Sequence, residues 1–317
     1  MVTKIVYVLS SDDSDIYLEQ TLLSVFSLRK HNPDAFVELV VDERTNNTIQ
    51  GKRSELLNYI NYKNVVAVPD KYNKIQTSRW LKTSLRKHVD GNFLFIDSDT
   101  IITDDLSSID VFEGDIGAVP DAHVPMGHTP FNNSLRVLSK LDGWTYNENS
   151  LYFNSGVIFV RDSEVSMTLF DKWHMKWGNG TDNGGHVSDQ SYLASSNEET
   201  GFVIRELYGS CNCMLARNGL SYLANAKIIH YLGFSFHSQC PPWSFYDKNI
   251  YWEIKETGKI TQKISFLIDN AKCAFPESNG IVASDEAIVT RSRLFRFLMK
   301  NMWIVSSFEK MSRFFKK

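Results

Sequence analysis

Cysteine is scarce in this chain, and no apolar run approaches the roughly 20 residues that a membrane-spanning helix needs. The four cysteines, Cys211, Cys213, Cys240 and Cys273, are too few to form the disulfide framework of a 317-residue protein. Cys211 and Cys213 have C-x-C spacing, which without a second pair is a weak zinc signal. We therefore expect reduced thiols in a cytoplasmic protein.

An excess of charge of one sign is also absent. The 34 basic and 37 acidic residues leave a formal net charge of −3, which argues against a nucleic-acid partner. The apolar run at residues 5–9 is too short and too soon followed by polar residues for a signal peptide, so it predicts a first buried strand. A chain of this length can bury a sizeable core.

Strand-like and helix-like segments alternate along the first half. The predicted strands are Ile5–Leu9, Phe36–Val41, Val65–Val68 and Phe93–Ile96, and the predicted helices cover 18–28, Arg53–Tyr62 and Arg79–His88. This alternation predicts an α/β domain, Rossmann-like, with a mostly parallel central sheet and flanking helices. Ligands of such sheets bind beyond the carboxyl ends of the strands. The acidic loops 12–15 and 97–99 lie at such ends.

The second half is less regular. Strands are predicted at Ile116–Val119, Val157–Val160 and Ile228–Gly233, and helices at Glu164–Met175 and Val187–Ala194, capped by Ser163 and Ser188. Residues 123–150 are rich in Asn, Gly and Pro and are expected to be mainly a loop that covers the substrate. Asn179–Gly185 is expected to be a glycine-rich loop.

The character of the chain changes near Arg291. From there to the end, eight Lys and Arg residues accompany a single Glu309, and Leu294, Leu298, Met302, Val305 and Phe308 share one helical stripe. A basic amphipathic helix with aromatic residues can lie in a membrane interface. We therefore expect residues 1–275 to form the catalytic domain and 276–317 a C-terminal helical extension, with 291–317 attaching peripherally to the inner face of the membrane. The alternative is a terminal helix packed on the core.

The strand Phe93–Ile96 leads directly into Asp97-Ser98-Asp99. Alternation along a strand would point both carboxylates to the same side. Two buried unpaired carboxylates would be costly, so they need a cation or must be protonated. Oxygen ligands of this kind suit Mg²⁺ or Mn²⁺, which commonly carry substrate phosphates. The sequence thus predicts a metal–diphosphate site at the edge of the sheet.

Three other interpretations of this acid pair exist. A surface Asx turn is disfavoured by the preceding apolar run. A calcium loop would need a glycine and a distal ligand at loop spacing, and neither follows. A phosphatase with an aspartate nucleophile needs a second acidic pair far downstream, and Gly114-Asp115 comes too early to supply it.

Four motifs occur in a diagnostic order: Asp97-Ser98-Asp99, Asn154-Ser155-Gly156-Val157, Asp189-Gln190 and His230-Tyr231-Leu232-Gly233. This order, over residues 4–243, resembles the retaining glycosyltransferases of family eight, the lipopolysaccharide galactosyltransferase and glycogenin group. The resemblance implies a GT-A fold, a UDP-hexose donor and Mn²⁺. It implies Asp97, Asp99 and His230 as metal ligands, and the imidazole favours Mn²⁺ over Mg²⁺. Taken alone, His230 would be a core histidine.

The resemblance also assigns residues around the donor. Asp121, Asn154, Asp189 and Gln190 match positions that surround the donor sugar, and Asn212 matches a further asparagine near the site. Gln190 is a poor nucleophile, which favours front-face attack with Asp189 as an orienting carboxylate. The alternative for Asp189 is an acid in the first turn of a helix that interacts with its dipole.

Further residues are expected to bind the nucleotide. Arg79 matches an arginine that contacts the donor, and Lys82 and Arg86 share its helical face or form a solvated basic face. The remaining donor-binding positions are Ser10, Asp12 and Asp13 in the first loop, Ser98, and Gly233. The family's lysine before Pro-Trp is missing, because Cys240-Pro241-Pro242-Trp243 stands there, and His237 is a replacement candidate.

These observations predict a metal-dependent retaining hexosyltransferase that acts on a glycan or glycolipid acceptor, as in lipopolysaccharide or capsule synthesis. A non-catalytic nucleotide-sugar binding protein is the main alternative. An aspartate-nucleophile phosphatase is a weaker one.

Overall fold

The structure, a computed structural model, describes residues 1–232, 244–275, 292–301 and 303–308. Two compact units divide the chain, Met1–Ser278 and Asn279–Lys317. The predicted roles of 1–275 and 276–317 as a catalytic domain and an extension stay predictions.

The strands of the first unit form two sheets. Their bounds are β1 (Lys4–Leu9), β2 (Val37–Asp42), β3 (Tyr62–Val66), β4 (Phe93–Ile96), β5 (Thr100–Ile102), β6 (Ile116–Pro120), β7 (Phe153–Val160), β8 (Ile204–Glu206), β9 (Cys213–Met214) and β10 (Ile228–His230). Seven of them form a sheet of order β3-β2-β1-β4-β7-β6-β8, and the other three form a sheet of order β5-β10-β9.

The large sheet is parallel except at β7, which pairs antiparallel with both β4 and β6. The carboxyl ends of β1, β4 and β6 therefore meet at the same edge as the amino end of β7. Chain segments beginning at Ser10, Asp97, Asp121 and Asn154 converge on this edge. The predicted mixed α/β fold with a mostly parallel central sheet is confirmed.

The small sheet brings distant segments beside the acid pair. Strand β10 is antiparallel to β5 with His230 opposite Thr100, and parallel to β9 with His230 opposite Met214. The Tyr231 amide donates to the Asp99 carbonyl over 3.1 Å. As a result, His230 lies next to Asp99, and Asn212, just before β9, lies next to His230.

Helices flank the large sheet. In the first unit their bounds are α1 (Tyr17–His31), α2 (Glu43–Thr48), α3 (Lys74–Thr83), α4 (Asn132–Asp142), α5 (Glu164–Asp182), α6 (Gln190–Glu199), α7 (Lys248–Thr257) and α8 (Gln262–Asp269). Alternate residues of β1 enter two separate cores: Ile5 packs with α1, α7 and α8, and Val6 packs with α3 and α5. Apolar burial on both faces explains why the strands read as nearly continuous hydrophobic runs.

The prediction that 123–150 is mainly loop was wrong. Helix α4 forms there and ends at Gly143, whose φ of 69° provides the left-handed cap that glycine favours. Leu135, Trp144 and Tyr152 build a small core of their own beneath it. The Asn- and Gly-rich flanks concealed this short helix.

The predicted glycine-rich loop at 179–185 was also wrong in its first half, because α5 continues to Asp182. A Cβ on Gly180 would lie 2.1 Å from the Tyr192 hydroxyl oxygen. The glycine therefore permits close packing against α6 rather than a turn. Ser163 caps α5 as predicted, accepting a hydrogen bond from the Ser166 amide.

Several other element boundaries differ from the prediction. Helix α3 begins at Lys74 and gives way to a 3₁₀ turn at Leu85–Lys87, residues Gly51–Tyr59 form a 3₁₀ helix rather than an α-helix, and β3 begins at Tyr62. Helix α6 begins at Gln190 with Asp189 as its N-cap residue, and Asp189 makes no capping hydrogen bond. The predicted cap Ser188 was therefore wrong. The Asp189 carboxylate binds two cations instead of the helix amides.

In the second unit, α9 (Arg293–Lys300) is a strongly amphipathic helix capped by Ser292, and residues 303–308 are also helical. Leu294, Phe297, Trp303 and Phe308 are all more than half exposed. Among the described residues, no helix combines the length and the apolar character required to cross a bilayer.

Candidate active site

A cavity of about 440 Å³ opens at the edge of the large sheet where β1 and β4 end. It is lined by Val8, Leu9, Ser10, Tyr17, Gln20, Lys74, Ile75, Ser78, Arg79, Asp97, Ser98, Asp99 and Lys248. Cations from α3 and from the start of α7 thus share one space with the acid pair. Such a mixture of a strand edge, an acid pair and lysine and arginine side chains suits an anionic ligand with a bound cation.

The Asp97, Asp99 and His230 side chains converge. One ligand atom from each lies within 4.8 Å of the others, and His230 Nε2 is 3.2 Å from Asp99 Oδ1. His230 is only 3% exposed, whereas each aspartate side chain is 25% exposed toward the cavity. The structure therefore brings together the three predicted metal ligands, with one accessible side.

The charges of this trio are unbalanced without a cation. Burial raises the pKa of Asp97, with Lys82 opposing and the Asp99 charge adding to the rise. Burial would also raise the pKa of Asp99, but the charge and the hydrogen bond of His230 hold it below its usual value. The pKa of one carboxylate is thus raised and that of its neighbour is lowered. A divalent cation bound between them would favour the ionised form of both.

The space beside the trio depends on Gly156. A Cβ built on this glycine would lie 2.4 Å from His230 Cε1 and 2.8 Å from Asp97 Oδ2. In the register of β4 and β7, Ile96 faces Val157, so Asp97 meets Gly156, and the Asp97 amide donates to the Gly156 carbonyl over 2.7 Å. The donor set and this clearance fit a divalent cation held by Asp97, Asp99 and His230.

Asp189 lies at a second charged centre next to the first. Its carboxylate binds Arg79 Nε at 3.1 Å and Lys82 Nζ at 3.3 Å, and it accepts from Ser155 Oγ over 3.0 Å. Burial opposes ionisation, but Lys82 and Arg79 outweigh it and lower the pKa of Asp189. Asp189 is therefore an ionised carboxylate clamped by two cations rather than a helix-dipole acid.

Lys82 connects the two centres. Its side chain is 3% exposed, and its ammonium lies 3.4 Å from Asp97 Oδ2 and 3.1 Å from Ser155 Oγ. The alternative of a solvated basic face is wrong for Lys82. It is also wrong for Arg86, whose guanidinium is buried and binds Asp162 and the Gly91 carbonyl, away from the cavity.

Amide side chains extend from the metal trio toward Asp121. Asn212 contacts His230, Asn154 contacts Asn212, Gln190 contacts Asn154, and Gln190 Nε2 donates to Asp121 Oδ2 over 2.7 Å. Arg217, which the sequence did not single out, binds the same Asp121 oxygen. Asp121 Oδ1 is buried and has no hydrogen-bond partner among the described residues. Asp121, Asn154 and Gln190 thus lie in one network, which Ser155 joins to Asp189.

The predicted nucleotide-binding positions divide into three groups. Ser10, Ser98 and Arg79 line the cavity. Asp12 and Asp13 are outside the described lining, because Lys74 binds Asp12 and Arg53 binds Asp13. Gly233, His237 and Cys240–Trp243 lie outside the described residues, so their predicted roles stay predictions.

Sequence reasoning missed Tyr17, Gln20, Lys74, Ile75, Ser78 and Lys248, all of which line the cavity. Ile75 is one helical turn from both Ser78 and Arg79 on α3, so this periodicity was a usable signal once the helix start was placed at Lys74. Lys248 begins α7 and had no such signal, because its position in the cavity lining depends on the tertiary fold.

An acid pair and an imidazole at the rim of a mostly parallel sheet, beside a cation-lined cavity, define a nucleotide-sugar enzyme of GT-A architecture. The model of the nucleotide-diphospho-sugar transferase family matches residues 31–208, more than half of the chain. The chain belongs to this family and is a nucleotide-sugar glycosyltransferase. The resemblance in motif order is confirmed at this level.

Solved structures share the fold. Galactosyltransferase LgtC in complex with donor and acceptor sugar analogues is similar with a TM-score of 0.52 at 15% identity, over 83% of this chain and 99% of that one. An active-site mutant of LgtC is similar with a TM-score of 0.53 at 14% identity, over 80% of this chain and 95% of that one. No curated protein sequence matches the chain.

Proposed function

We propose that this protein is a retaining hexosyltransferase that takes a hexose from a UDP-sugar in the presence of Mn²⁺, or alternatively Mg²⁺. The observation that carries the proposal is the convergence of Asp97, Asp99 and His230, with both aspartates in the lining of the cavity. These residues would hold the ion, which when bound supplies positive charge to the diphosphate leaving group. The imidazole ligand favours Mn²⁺.

The lining supports a sugar nucleotide as the ligand. Arg79, Lys74 and Lys248 bring positive charge to the cavity that holds Asp97 and Asp99, as a diphosphate requires. The pKa of Arg79 is raised, above all by Asp189, so the Arg79 guanidinium stays positively charged. Lys248 supplies a lysine to this cavity although the family's usual lysine position is changed. Ser10 and Tyr17 offer polar contacts for the nucleoside.

The amide and carboxylate network supports front-face attack. The Gln190 amide nitrogen donates to Asp121, and the Gln190 oxygen accepts from Asn154 and from the Ser155 amide. Gln190 is therefore not free to attack the anomeric carbon. Asp189 is held by Arg79 and Lys82. In front-face attack, the bond from the anomeric carbon to the diphosphate oxygen breaks and the acceptor oxygen bonds on the same face. The acceptor proton passes to the departing oxygen, and ionised Asp189 stabilises the positive charge that develops on the sugar.

The unpartnered Asp121 Oδ1 suits a sugar hydroxyl, because a buried carboxylate oxygen gains from a hydrogen-bond donor. We place the donor hexose here, between Asp121 and the metal ligands, with a glycan or glycolipid as the acceptor. Lipopolysaccharide or capsule synthesis is the process that such an acceptor implies.

The test is a panel of UDP-, GDP- and dTDP-sugars assayed for nucleotide release with Mn²⁺ and with excess chelator. We expect release from one UDP-hexose with Mn²⁺, an α-linked product from an α-linked donor by NMR, and loss of release with chelator. Thermal stabilisation by UDP without turnover of any donor would favour the binding protein instead. Phosphate release from simple esters would favour the phosphatase.

We further propose that the C-terminal unit attaches the enzyme peripherally to the cytoplasmic face of a membrane. Its described residues Leu294, Phe297, Trp303 and Phe308 are exposed, and α9 carries Arg293 and Lys300. Exposed aromatic and basic side chains on an amphipathic helix suit an anionic lipid surface. Among the described residues, no other feature of this unit suggests a different partner.

Deletion of residues 291–317 is expected to lower binding to vesicles of phosphatidylglycerol and phosphatidylcholine several-fold and to leave the thermal transition of the first unit intact. Vesicle flotation and scanning calorimetry measure the two quantities. Vesicles of pure phosphatidylcholine provide the control for charge. Equal flotation of the full chain and the truncated chain would contradict the membrane proposal.

A further inference from the structure

The amide network that leads to His230 has a defined direction. The Gly156 amide can only donate, and it lies 2.9 Å from one side-chain atom of Asn154, which must therefore be the oxygen. Asn154 then presents its nitrogen to Gln190 Oε1 at 3.2 Å. This agrees with the far end of the network, where Gln190 Oε1 also accepts from the Ser155 amide and Gln190 Nε2 donates to the Asp121 carboxylate.

The same reasoning fixes Asn212. The Asn154 oxygen also lies 2.9 Å from an amide atom of Asn212, which must be the nitrogen because two oxygens would repel. Asn212 therefore turns its oxygen to His230 Nδ1, 3.0 Å away. Asn212 has no exposed surface, so water does not compete for this contact.

The direction of the network decides where the imidazole carries its proton. An acceptor at 3.0 Å from Nδ1 requires that Nδ1 carry the hydrogen. Nε2 is then the nitrogen that faces Asp99 Oδ1 at 3.2 Å and the open side of the metal trio. This is the tautomer in which His230 can bind a cation at Nε2.

We propose that Asn212 is a positioning residue for the metal site, which holds His230 in the tautomer that leaves Nε2 available to the ion. Through Asn154 and Gln190, the same network joins the metal ligand to the residues around the donor sugar. The inference rests on the proposed function, because it takes Asp97, Asp99 and His230 as metal ligands. It adds a role for Asn212 that binding of donor or acceptor does not require.

The test measures Mn²⁺ binding by calorimetry in the absence of any sugar nucleotide. Asn212→Leu, which has nearly the same shape, is expected to weaken Mn²⁺ binding about 10- to 100-fold, the usual cost of losing a group that orients a metal ligand. Asn212→Asp keeps an acceptor for Nδ1 but sets an oxygen against the Asn154 oxygen, and it is expected to bind Mn²⁺ more tightly than Asn212→Leu. Asn197→Leu removes another buried asparagine, whose oxygen accepts from the Ile204 amide, and should leave Mn²⁺ binding unchanged.

Because the added charge of Asn212→Asp itself raises metal affinity, the tautomer is read separately. Long-range proton–nitrogen correlations of ¹⁵N-histidine protein, assigned with His230→Gln, are expected to show hydrogen on Nδ1 in the wild type and in Asn212→Asp, and its loss from Nδ1 in Asn212→Leu. Wild-type Mn²⁺ affinity in Asn212→Leu, or absence of hydrogen from Nδ1 in the wild type, would overturn the inference alone. Failure of the wild type to bind Mn²⁺ would overturn the proposed metal site with it.

Discussion

Asp99→Asn is expected to reduce metal-dependent sugar transfer at least about 100-fold, on the scale of losing a main electrostatic group of an active site. The substitution removes the charge that faces His230 and leaves the side-chain shape nearly unchanged. Asp97→Asn should act similarly, because Asp97 completes the trio beside Lys82. Nucleotide release from the preferred UDP-sugar, measured across a range of Mn²⁺ concentrations, gives the effect.

Asp90→Asn is the matched control, because Asp90 is exposed and lies outside the cavity lining. It should retain wild-type activity. Circular dichroism and thermal melting should show all three variants folded, since asparagine keeps nearly the shape of the aspartate side chain. Full activity of Asp97→Asn or Asp99→Asn in excess chelator would exclude the metal-dependent mechanism.

Gly156→Ala is expected to abolish activity nearly as completely. One methyl group here would meet His230 Cε1 at 2.4 Å and Asp97 Oδ2 at 2.8 Å, so both predicted ligands would have to move. A displacement on this scale destroys the ligand geometry although no ligand is replaced. The measurement is Mn²⁺ binding by calorimetry together with transfer activity.

Gly178→Ala is the control for the same chemical change. Gly178 lies within α5 and a Cβ there has no atom within 4 Å, so alanine should stabilise the helix by about 0.5–1 kcal/mol and leave activity unchanged. Wild-type Mn²⁺ affinity in Gly156→Ala would show that the ion is not held beside this glycine.

Much of the fold could be predicted from local patterns. Buried parallel strands such as β1, β2 and β4 read as continuous apolar runs between turn residues, and the helices between them have apolar periodicity. The reversed direction of β7 could not be read, because the run Val157–Val160 has the same composition in either orientation. Short strands such as β9, with two residues, are defined by pairing with β10 rather than by composition.

The site residues could be predicted from the sequence where their chemistry depends on residue type in a fixed order, as with Asp97, Asp99 and His230. They could not be predicted where their role depends on tertiary packing. Lys82 looked equally suited to a solvated face, and only the tertiary fold places it between Asp97 and Asp189. Arg217 reaches Asp121 from 96 residues away, and no sequence spacing announces such a contact.

The antiparallel pairing of β7 with β4 links the packing of the hydrophobic core to the geometry of the proposed metal site. Ile96 opposite Val157 belongs to the core, and the next position along is where Asp97 meets Gly156. A slip of one residue would move every side chain of the shifted strand to the opposite core and, by the same shift, carry the glycine away from the imidazole. An insertion or deletion inside either strand would therefore cost core packing and catalysis at once.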